Sequence, residues 1–142
     1  MHLKQVAAAT TLISALVLIS GCSSAEYGIV ALDREATAED QLPDMVIDDR
    51  VNVGSVRKVA EQDRVAYFIG AMNDDQGYCA YAVDDDDENF TGGCGSGSDQ
   101  VLTVAPGEGS NLHQMMLVMD SYDGDSLKRD NWAEVHPNIL IR

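Results

Sequence analysis

Between Arg64 and Met72 apolar residues occupy both faces that an extended chain would present. Val65, Tyr67, Ile69 and Ala71 share one side, while Ala66, Phe68 and Met72 share the other, because side chains alternate along a strand. A strand apolar on both faces has to be covered on both, which places it at the centre of a fold. Asn73-Asp74-Asp75-Gln76-Gly77 has the composition of a turn. Tyr78 to Val83 then returns as an antiparallel partner, giving a core hairpin.

The other segments are shorter. Val51-Asn52-Val53-Gly54 and Ser55 to Ala60 carry β-branched residues and read as an edge strand, with Arg57 and Lys58 guarding its open side. Gln100 to Ala105 reads as a short strand and Leu112 to Met119 as a buried one. Trp132 to Ile141 closes the chain as a last strand, edge or bent because of Pro137. Gly92 to Gly97 reads as a flexible loop. Helix is confined to turns: Thr37 and Asp40 form a capping box, Pro43 stops that turn, and Ser126 opens another through Arg129. The fold class is α+β, mainly β. It is expected as a single antiparallel sheet of five or six strands with one or two short helical turns, and a small β-sandwich is the alternative packing.

The N-terminus says where such a domain works. Lys4 precedes an uncharged run from Val6 to Ile19, the layout of an export signal. The run is shorter than the roughly 20 apolar residues of a membrane span. It ends in Ile19-Ser20-Gly21-Cys22, which resembles the lipobox of bacterial lipoproteins. That resemblance implies a diacylglyceryl group on the Cys22 thiol and cleavage before it. Residues 1–21 are then the signal peptide, 22–31 a lipidated tether and 32–142 one small domain on the outer face of the cell membrane. An ordinary signal peptide with an incidental Cys22 is the plainer alternative.

Charge and cysteine content fit export. The formal net charge is −15 over 142 residues, so nucleic acid and anionic head groups are repelled. A cationic partner or divalent ions suit that charge; solubility alone also accounts for it. With Cys22 set aside, Cys79 and Cys94 remain as a pair, expected to close a disulfide outside the cytoplasm. The staple should stabilise the fold by about 3 kcal/mol in the chain-entropy view. A redox pair would favour Cys-x-x-Cys spacing instead.

Candidate chemistry is sparse. The acidic run Asp84, Asp85, Asp86, Asp87 and Glu88 offers oxygen ligands for calcium, although no EF-hand spacing is present, and a solvated loop explains it equally. Gly93-Cys94-Gly95-Ser96-Gly97 has glycine where a nucleophile elbow needs serine. His113 and His136 lack His-Glu-x-x-His spacing. Trp132 and Tyr122 could mark a partner surface, but a single tryptophan in a small core needs no partner.

The body of the chain also resembles small surface lipoproteins of high-GC Gram-positive bacteria (actinobacteria). The likeness rests on Leu32-Asp33-Arg34 with Thr37, Asp40 and Leu42-Pro43; on Ser55-Val56-Arg57; on Tyr78-Cys79 followed by Gly93-Cys94; and on Trp132, Val135 and Asn138-Ile139-Leu140. It implies one anchored domain with one disulfide. The expected function is therefore non-catalytic: a monomeric, membrane-anchored binding or accessory domain with no cofactor, directed at a cell-surface protein. A calcium-binding surface protein is the first alternative and a small extracellular hydrolase the second.

Overall fold

The computed structural model describes residues 27–86 and 89–142. The lipobox, Cys22, Asp87 and Glu88 lie outside the described residues. Eight strands form two four-stranded antiparallel sheets rather than the single sheet expected. The first sheet is a meander of β1 (Arg57–Gln62), β2 (Val65–Ala71), β3 (Tyr78–Asp84) and β4 (Phe90–Gly95). The second runs in the order β5 (Gln100–Val104), β6 (Met115–Val118), β8 (Ile139–Ile141), β7 (Ala133–His136).

The alternation read from Arg64 to Met72 explains why two sheets are needed. Val65, Tyr67, Ile69 and Ala71 of β2, with Ala80 and Ala82 of β3, share one core with Met115, Leu117, Ile139 and Ile141 of the second sheet. The sheets therefore face each other across a common apolar layer, the sandwich packing. Phe68 of β2 and Tyr81 and Val83 of β3 point the opposite way, into a second core formed with Val46, Val51 and Val56. On the far side Met116, Val118 and Leu140 pack with Leu127 and Trp132 around the short helix α1 (Asp125–Arg129). Trp132 is thus a core residue, with Tyr122 packed beside it.

Three loop readings change. Trp132 to Ile141 is a hairpin of β7 and β8, not one bent strand, because Pro137 and Asn138 turn the chain and Ala133 pairs with Ile141. The segment from Gly92 is the strand β4 rather than a flexible loop. Glycine there permits close packing: a Cβ on Gly92 would stand 2.4 Å from the Tyr81 ring it faces in register. The tether expected to reach residue 31 is already packed from the first described residues. Ile29 is fully buried in the central core, and the Val30 amide donates to Asp120.

The disulfide is present between Cys79 and Cys94, which sit directly opposite each other on β3 and β4. The β1–β2 turn has Asp63 and Arg64 both at positive φ, 52° and 67°. That is the pairing a two-residue primed hairpin turn demands, and no glycine in the sequence announced it.

Candidate functional site

The segment 40–56 crosses the outer face of the first sheet and is held there by polar anchors. Asp40 is the strongest. Its carboxylate is 3 % exposed and accepts from the Arg34 guanidinium at 2.7 and 2.5 Å, from the Thr37 amide at 2.6 Å and from the Lys58 amide at 2.7 Å. The Thr37 hydroxyl donates to the same carboxylate at 3.0 Å, and Thr37 and Asp40 form the capping box through each other's backbone amides. The Arg34 hydrogen bond, joined by these amides, holds the Asp40 carboxyl far below the usual carboxylate range. Lys58 lies on the edge strand β1, so Asp40 and Arg34 satisfy backbone groups that the edge would otherwise expose.

Asp48 is the second anchor. It accepts from the Tyr81 hydroxyl at 3.0 Å and from two nitrogens of Arg50 at 2.9 and 2.8 Å. The Arg50 hydrogen bond lowers its pKa, against partial burial. Burial and the facing Asp48 charge push the Tyr81 phenol up, so it stays a proton donor. Cys94 Sγ lies 3.6 Å from the same carboxylate. Further along, the Ser55 hydroxyl donates to Asn52 and accepts from the Ala71 amide at the end of β2, while Val51 bridges to Met72.

These anchors fix the segment's backbone without using all its apolar side chains. Val46, Val51 and Val56 turn inward. Ile47 and Val53 turn outward and are 88 % and 75 % exposed. Between them runs a groove of about 610 Å³, floored by Leu42, Pro43, Val46, Val51 and Val56 and bordered by Asp44 and Asp49. An open apolar floor with acidic borders can take an apolar chain segment carrying positive charge.

The acidic run singled out in the sequence is divided. Asp84 ends β3 with its side chain mostly buried, accepting from the amide and side chain of Asn89. Asp85 accepts from Arg64 at 2.7 Å, and Asp86 lies 3.5 Å from the same guanidinium. Asp87 and Glu88 lie outside the described residues. Among the described residues no three His, Cys, Asp or Glu side chains gather in a metal-holding group. His113 is exposed, and His136 is half-buried with its Nδ1 accepting from the Asn138 amide.

Sequence reasoning missed the groove because Ile47 and Val53 have the composition of core residues. Arg57 was also misplaced. Its side chain is buried rather than guarding an edge, donating to the carbonyls of Arg34, Gly54 and Val56. No family model, curated protein or solved structure matches this chain.

Proposed function

We propose that the protein is a lipid-anchored extracytoplasmic binding domain, tethered through Cys22, whose groove over segment 40–56 receives an apolar, basic segment of a surface protein. The observation that carries this reading is the pair of outward-facing side chains, Ile47 and Val53, on a backbone fixed by Asp40 and Asp48. Exposed apolar groups on a rigid support lose little entropy on binding, which is what a recognition surface requires. The net charge of −15 and the borders Asp44 and Asp49 favour a positively charged occupant. The anchored location rests on the lipobox and the export layout of the N-terminus. No catalytic step is assigned to it.

The test uses the full chain and two fluorescent peptides, one of alternating leucine and lysine and one of leucine and glutamate. The lysine peptide should bind, and I47S combined with V53S should weaken it about tenfold, as loss of central apolar contacts does. Equal binding of the two peptides, or no effect of the double substitution, would sink the groove. Anchoring is read separately: Cys22→Ala should abolish incorporation of labelled palmitate in cells.

A further inference from the structure

Among the described residues Arg57 is the buried cation with no carboxylate partner. Arg34, Arg50, Lys58, Arg64 and Lys128 each pair with an acid. Arg57, at 7 % exposure, has only main-chain oxygens. Its Nε donates to Arg34 O at 2.8 Å, and its Nη1 to Gly54 O and Val56 O at 3.0 and 2.7 Å. Nη2 has no acceptor among the described residues. A guanidinium stays charged at any working pH, and carbonyl dipoles offset only part of the cost of burying it. In a chain with 24 acidic residues the absence of a partner is not for want of carboxylates.

The side chain is also held rigid, with its planar fork fixed by three bonds. It forms part of the wall of an open pocket of about 520 Å³ between the 27–35 segment and the turn at 52–55. Asn52 also lines the pocket, its oxygen committed to the Gly54 amide, which leaves its NH₂ as a second donor. The lining also carries Asp33 and Glu35, both exposed, with Asp33 accepting from the Tyr27 amide, and Arg34, which is paired with Asp40. The pocket thus offers two donors, one of them a fixed guanidinium, and separate carboxylates within one cavity of small-ligand size.

We propose that this pocket binds a small zwitterion with a carboxylate and an ammonium group, the chemistry of a free amino acid. The ligand's carboxylate accepts from Arg57 Nη2 and the Asn52 amide, and its ammonium lies against Asp33 and Glu35. A simple anion fits less well, because those two acids repel it. A simple cation leaves Arg57 unpaired. Binding is non-covalent, and although Gly54 lines both the pocket and the groove, the residues substituted to test one do not line the other, so either can fail without the other.

The experiment is a titration of the ¹⁵N-labelled full chain, following the Arg57 Nε–H resonance. The probes are alanine, acetate and ethylammonium at matched ionic strength, since so acidic a chain responds to any salt. Alanine should shift the resonance saturably. D33N combined with E35Q, both at exposed positions, should weaken alanine at least tenfold and strengthen acetate, because the repulsion is removed. Arg57→Lys, followed through the Asn52 side-chain amide resonance instead, should remove the saturable response to alanine; if that variant does not fold, the acid pair still decides. No saturable shift with alanine overturns the proposal. So does equal binding of alanine and acetate with the acid pair without effect.

Discussion

The two sheets are covered on their outer faces by different means. Over the first lies segment 40–56, tied by directional bonds from Asp40, Asp48 and Ser55 to partners on β1, β2 and β3. Over the second lie α1 and its flanks, held by Leu127, Trp132 and Tyr122 against Met116, Val118 and Leu140. A cover held by hydrophobic burial needs its large apolar side chains inside. A cover held by hydrogen bonds can keep its shape while turning some of them to solvent. The groove with Ile47 and Val53 lies on the first cover, whereas among the described residues no large hydrophobic of the second cover is exposed.

The sharpest way to break this contrast is at Trp132, 7 % exposed and central to the helical cover. Trp132→Ala should destabilise by about 3–5 kcal/mol in urea unfolding, the range for deleting a large buried aromatic. A loss under about 1 kcal/mol, within the scatter of ordinary surface changes, would mean that cover is not held by burial.

Asp40→Asn is the matching test on the polar cover and should cost about 2–3 kcal/mol, less than the buried-pair limit because Arg34 is 42 % exposed. The sign of its pH dependence is fixed. Asp40's carboxyl is lowered in the folded state from 3.8. Its contribution is therefore complete above the unfolded value and lost as pH falls through the folded one. The gap between wild type and Asp40→Asn should narrow from about pH 4 downward. A gap that stays constant to about pH 2 would show that geometry, not charge, holds the cover.

The first sheet was far more legible in the sequence than the second. Val65, Tyr67, Ile69 and Ala71 alternate with Ala66 and Phe68, so β2 and its two covered faces follow from period alone. Thr37 and Asp40 announced their capping box, and the cysteine count announced Cys79–Cys94. The β7–β8 hairpin was hidden because its turn residue Asn138 is buried, bonded to Val118 O and Asp120, where turn chemistry leads one to expect exposure. That two sheets face each other is a long-range fact no local pattern carries. The pocket beside Arg57 was illegible for a related reason: local sequence puts a charge on an edge, and only the fold brings three carbonyls around it.

The smallest effect is the most discriminating. Val46 and Ile47 are adjacent, yet Val46 is 8 % exposed and Ile47 88 %. Val46→Ala removes two buried methyl equivalents and should cost about 1.5 kcal/mol at roughly 0.8 kcal/mol each. Ile47→Ser and Val53→Ser should each change stability by less than about 0.5 kcal/mol. If Ile47→Ser costs as much as Val46→Ala, Ile47 packs inward in solution and the groove loses one wall. If the exposed pair is neutral while Val46 is not, the polar anchors and the inward-facing valines set the backbone without Ile47 and Val53. Ile47 and Val53 are then free of any folding role, which is what the proposed recognition surface requires of them.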